Sequence, residues 1–96
     1  EALWMGVPVI TLVGRAHAGR VGASLLTKAG LRDDICQTTA QYVARAAALA
    51  QDAATLSAFR AGMRERMAAS RLCDAKAYGQ AVAEAYRQLW RYRPIA

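Results

Sequence analysis

The 96 residues are enough for one small domain and too few for two, and 55% hydrophobic residues against 21% charged exclude a disordered chain. Thirteen Lys and Arg against seven Asp and Glu give a net charge of +6, and residues 60 to 96 carry eight of the bases against three acids, so the excess is concentrated in the last third. The longest strongly apolar run, Leu3 to Val13, is eleven residues interrupted by Gly6 and Pro8, well below the roughly 20 that a membrane helix requires, so no transmembrane span is expected.

Taken in order, Glu1-Ala2-Leu3-Trp4-Met5 has good helix formers and stops at Gly6, which predicts the last turn of a helix closed by a left-handed glycine. Val7 to Val13 is β-branched, apolar and bounded by Gly6 and Gly14. It reads as a strand buried on both faces, of the parallel-sheet type, with Pro8 near its start where a missing donor does least harm. Gly14 to Gly19 reads as a flexible stretch. Val21, Leu25 and Leu26 then recur at helical spacing, with small Gly22, Ala23 and Ser24 allowing close approach, until Gly30 ends the helix. Ile35 to Gln37 is a candidate second strand, short enough to be marginal.

From residue 39 the pattern is helical and rich in alanine. Thr38 or Thr39 is placed to cap the first of these helices, Asp52 the second and Asp74 the last. The expected inward stripes are Tyr42, Ala46 and Leu49; Leu56, Phe59, Met63 and Met67; and Tyr78, Val82, Ala85, Leu89 and Tyr92. Lys76, Gln80, Glu84, Arg87 and Arg91 oppose the last stripe, and Pro94 closes it. The fold class is therefore α/β: a strand, loop and helix part over residues 1–37 and a helical part over 38–96, forming one segment in which helix predominates.

The first residue, Glu1, is no translation start, and the chain reads as a piece of something longer. Cys36 and Cys73 lie far apart, with no CxxC and a single histidine, His17, so no zinc pattern assembles and two buried free thiols in a reducing, cytoplasmic setting are expected. A basic surface serves nucleic acid, anionic lipid or a nucleotide-bearing substrate equally well. No RNP, KH or helix-turn-helix pattern is present, so a solvated helix face is the expected role of these charges, with neither nucleic acid nor membrane as partner. A small basic helical module that binds nucleic acid or a partner protein is the alternative.

A strand flanked by glycine turns with a carboxylate upstream is the layout of a nucleotide site in an open parallel sheet, in which an acidic side chain accepts from ribose hydroxyls; Glu1 is the candidate. Two strings make this sharper, Glu1-Ala2-Leu3-Trp4-Met5-Gly6-Val7-Pro8-Val9-Ile10-Thr11-Leu12 and Arg20-Val21-Gly22-Ala23-Ser24-Leu25-Leu26, followed by Leu72-Cys73-Asp74 and Ala85-Tyr86-Arg87-Gln88-Leu89-Trp90. Together they resemble the C-terminal end of bacterial O-linked N-acetylglucosamine transferases, the SPINDLY-like enzymes that often carry tetratricopeptide repeats, over essentially the whole chain.

The resemblance implies a GT-B glycosyltransferase with two Rossmann-like lobes, in which the donor UDP-N-acetylglucosamine is held mainly by the C-terminal lobe. It implies inverting transfer, without a metal, to Ser or Thr hydroxyls of a protein acceptor. It places Glu1 at an acidic position that contacts the uridine ribose, next to a preceding threonine-rich loop that holds the diphosphate. That loop, the segments that read uracil, the lysine that steadies the leaving diphosphate and the N-terminal lobe are not in these 96 residues, so the chain alone is expected to be inactive and to supply no catalytic residue.

His17 and Arg20 match the family's loop pattern G-D-R-H-A-S-R-V-G and are candidates for a loop near the site, while Arg15, Ala16 and Gly19 depart from it. Arg71 stands where relatives carry proline. A lone histidine in a glycine-flanked loop such as His17 is more often a solvated or structural residue than a catalytic base, and Ser24 reads as a small packing residue with no histidine to activate it.

Overall fold

The computed structural model describes residues 1–94, and its order is β1 (Thr11–Leu12), α1 (Val21–Lys28), β2 (Ile35–Cys36), α2 (Thr39–Ala50), α3 (Ala53–Ala69) and α4 (Ala75–Arg91), with short 3-10 turns at His17–Gly19, Arg32–Asp34 and Arg71–Cys73. The strands pair in parallel, Thr11 opposite Ile35 and Leu12 opposite Cys36, and α1 is the crossover between them. Helix predominates and the two strands make one α/β unit, as the periodicity predicts.

Local rules act where the sequence places them. Gly6 has φ +79°, Val7 N–H donates to Ala2 O (2.9 Å) and Gly6 N–H to Leu3 O (3.0 Å), the paired bonds of a Schellman turn. Gly30 (φ +75°) repeats the device after α1, where Leu31 N–H donates to Leu26 O (2.8 Å) and both leucines join the core. Thr38, Asp52 and Asp74 each accept the backbone N–H three residues on, from Gln41 (3.2 Å), Thr55 (3.0 Å) and Ala77 (3.0 Å).

The strand reading needs correction. Of Val7 to Val13 only Thr11 and Leu12 form a ladder, and the segment is not buried on both faces: Val7 is 52% and Leu12 39% exposed. The ladder is short because β2 is only two residues long and Gln37 leaves it to enter the cap of α2, through its N–H bond to Gln41 Oε1 (2.8 Å). Val9 packs against the core and Thr11 against Gly22 of α1, whereas Leu12, on the opposite side of the strand, stays exposed beside the buried Cys36. The second strand ends at Cys36, one residue before the expected Gln37.

The core is Leu3, Leu26, Ala29, Leu31 and Met63, with Val9, Ile35, Phe59, Met67 and Leu72 packed on it. It joins the first turn, α1 and α3, so the stripe Phe59, Met63 and Met67 points inward as its spacing predicts. The stripe on α4 does not: Tyr78, Leu89 and Tyr92 are 72, 69 and 84% exposed, and α4 contains no buried residue. Amphipathic spacing states which residues share a face, and only a neighbouring element covers that face. Here α4 runs away from the core, and the molecule measures 59 × 30 × 16 Å.

Three further expectations change. Val21 and Leu25 are 40 and 44% exposed, leaving Leu26 alone of that stripe in the core. Cys36 is buried and free as expected, whereas Cys73 is free but exposed. Gly14 to Gly19 is a closed loop: Gly14 N–H donates to Gly19 O (2.8 Å), and a Cβ on Gly19 would stand 2.9 Å from Gly14 Cα. Among the described residues, no helix is long and apolar enough to cross a membrane.

Candidate functional site

Glu1 opens the capped turn that precedes β1. Its carbonyl accepts from Met5 N–H (3.1 Å), and its side chain is exposed, with no hydrogen bond or ion pair among the described residues. The turn is held from below by Leu3, which is buried in the core, and from the side by α3. Arg60 packs so closely on Gly6 that a Cβ there would lie 2.8 Å from Arg60 Cγ. One helical turn further on, Arg64 Cζ lies 5.3 Å from the Trp4 ring centroid, and its guanidinium donates to Trp4 O (3.4 Å) and Met5 Sδ (3.8 Å).

The loop after β1 forms a second region. Arg20 Nη1 donates back to Gly14 O (3.2 Å), and the Arg20 N–H to His17 O (3.0 Å), so the arginine braces the loop and leads into α1. His17 and Arg20 come together in one cleft with Val21, Ser24 and Leu25, of about 420 Å³. Ser24 is exposed, contrary to the packing role expected of it, because the inward side of α1 is set by Gly22, Leu26 and Ala29. It also lines a larger, mostly apolar cleft of about 610 Å³ with Lys28, Tyr78 and the turn Arg71 to Asp74. Glu1 lines neither cleft, so the structure groups His17 with Arg20 and holds Glu1 apart from both.

Sequence reasoning missed the arginines of α3. Nothing local indicates that Arg64 reaches the first turn, or that Arg66, two positions on and on another side of the helix, donates to Ala29 O (3.2 Å) and Gly30 O (2.6 Å) at the end of α1. Other bases pair locally: Arg87 and Arg91 lie 3.5 and 3.8 Å from Glu84, and Arg93 lies over Trp90, 3.7 Å from its centroid. Much of the basic excess is thus engaged within the protein. Among the described residues, no three His, Cys, Asp or Glu side chains gather into a metal site.

The sequence model of glycosyl transferase family 41 matches residues 1–82. The chain is 42% identical over 90 residues to the SPINDLY protein of Hordeum vulgare and 44% identical over 91 to that of Petunia hybrida, covering 94 and 95% of this chain and 10% of each relative. A protein of Caenorhabditis elegans is 31% identical over 91 residues, covering 95% of this chain and 8% of the relative. All three are named as UDP-N-acetylglucosamine–peptide N-acetylglucosaminyltransferases, and these relatives come from plants and a nematode where the resemblance was to bacterial members. The chain spans about a tenth of their length. With a family match that takes in the Glu1 turn, the β1–α1–β2 unit and three of the four helices entire, this chain belongs to glycosyl transferase family 41.

Proposed function

We propose that the chain is the C-terminal part of the nucleotide-sugar-binding lobe of a protein O-glycosyltransferase. In this reading the whole enzyme has the two-lobed GT-B architecture and transfers N-acetylglucosamine from UDP-N-acetylglucosamine to Ser or Thr hydroxyls. The observation that carries the proposal is the family match over residues 1–82, which begins at Glu1 on a turn fixed by Gly6 and by α3. A carboxylate there is free to accept from the two hydroxyls of a ribose, and a rigid base lowers the entropy lost when it does so.

The role of these residues is to bind and orient the donor, while the displacement at the anomeric carbon is carried by groups outside the chain. In that step the acceptor oxygen bonds to the anomeric carbon, UDP leaves with the bonding pair, and the hydroxyl proton passes to a base elsewhere. His17 and Arg20 belong to a loop near the site, which Arg20 braces with one guanidinium bond to Gly14 O, and neither is assigned a part in the transfer. Two free cysteines accord with the reducing cytoplasm as the compartment.

The test is titration of UDP into the longer polypeptide containing this chain. Glu1→Ala is expected to weaken binding by about 1–3 kcal/mol, the loss of charge-assisted bonds to a hydroxyl pair. Unchanged affinity removes Glu1 from the site. A protein that ignores UDP but binds duplex DNA with a steep salt dependence overturns the transferase reading.

A further inference from the structure

We infer that Arg64 of α3 is a positioning residue for nucleotide binding, acting through the turn Glu1–Gly6. The inference rests on the proposed role of Glu1 and adds to it the means by which that carboxylate is held.

Three contacts from one side chain converge on that turn. The guanidinium carbon stands 5.3 Å from the Trp4 ring centroid, Nε donates to Trp4 O at 3.4 Å, and Nη2 reaches Met5 Sδ at 3.8 Å. Trp4 and Met5 are 41 and 59% exposed, so burial alone does not fix this end of the chain. Leu3 anchors the turn from the core side, and Gly6 lets it close against Arg60. Arg64 supplies the remaining restraint, on the exposed side, sixty positions away in sequence. Lysine is a weaker substitute, because a planar guanidinium lies over a ring and donates to a carbonyl at once, whereas an ammonium is a single strongly hydrated point.

Loss of this restraint leaves Glu1 chemically intact but free to sample orientations away from the ribose. The effect therefore falls on donor binding and leaves acceptor binding alone. Since Arg64 is exposed and alanine is the best helix former, Arg64→Ala should fold.

The experiment is a double-mutant cycle on UDP affinity, measured calorimetrically in the longer polypeptide, with Glu1→Ala, Arg64→Ala and both together. Arg64→Ala is expected to weaken UDP binding about two- to fivefold, raise the donor KM in step and leave the acceptor KM unchanged. In the Glu1→Ala background the same substitution should have no further effect, a non-additivity that a general loss of stability does not produce. Arg64→Lys should recover part of the affinity, and Trp4→Leu, which removes the ring but leaves the carbonyl of residue 4 and Met5 Sδ to accept from Arg64, should give a smaller part of the loss. If Glu1→Ala alone is silent, the donor role of Glu1 fails and the inference falls with it. If Glu1→Ala weakens binding while Arg64→Ala is silent, or adds its full effect in the double variant, the positioning role alone is overturned.

Discussion

Gly22 of α1 and Thr11 of β1 are in such close contact that a Cβ on Gly22 would stand 2.6 Å from Thr11 Oγ1 and 3.0 Å from Thr11 Cβ. Threonine is branched at Cβ and stiff at χ1, so it has no easy way to yield. Gly22→Ala should therefore destabilise the protein by about 1–3 kcal/mol through overpacking, against a gain in helix propensity of about 1 kcal/mol. Denaturant unfolding of the longer polypeptide measures it. Thr11→Ala in the same molecule should return at least half of the loss, and strict additivity of the two changes would show that the helix meets the strand elsewhere.

Asp34 is 3% exposed and its Oδ1 accepts from Arg45 Nε at 2.7 Å, tying the start of β2 to α2. Removing the arginine strands a buried carboxylate. Arg45 is itself partly exposed, so Arg45→Ala should cost about 1–3 kcal/mol, less than a fully buried pair would. Asp34→Asn should cost less than Arg45→Ala, since an amide leaves no buried charge behind; the reverse order in thermal melts would contradict this account.

The Thr55 hydroxyl donates to Asp52 Oδ2 (2.6 Å) and the Thr55 backbone N–H to Oδ1 (3.0 Å), and these two bonds, the hydroxyl first, hold the Asp52 carboxyl below its ordinary value of 3.8. A carboxyl whose pKa falls on folding contributes stability above its unfolded value and loses it as the pH drops through the folded one. The start of α3 should accordingly loosen in acid, below about pH 4. Chemical-shift titration of Thr55 N–H reads this directly, and Asp52→Asn should abolish the dependence while keeping a cap.

In isolation the 96-residue chain should show an uneven pattern of amide hydrogen exchange. Residues Phe59 to Met67, around the buried Met63, are expected to be the slowest. The amides of α4 should exchange much faster, because a 17-residue helix with no buried residue has only local bonds to hold it. Protection of Tyr86 to Trp90 equal to that of Met63 in a monomer would show that α4 is covered by something other than its own chain.

How much was legible follows the range of the forces involved. Thr38, Asp52 and Asp74 cap helices because a short polar side chain reaches an amide three residues away, and Gly6 and Gly30 end helical turns because they tolerate positive φ; both are local facts that a linear string carries. The strings at Glu1 to Leu12 and Arg20 to Leu26 likewise carried the family, since side-chain identity at fixed spacing is what a family keeps. The stripe expected to face inward on α4 is left uncovered, because spacing names the residues that share a face while packing decides whether anything lies on it. Ser24 turned outward for the same reason, once Gly22, Leu26 and Ala29 had claimed the inner side of α1. The reach of Arg64 to Trp4 and of Arg66 to Gly30 spans sixty and thirty-six positions, and only the tertiary structure decides such contacts, since they exist only after Met63 has brought α3 against the first turn and the end of α1.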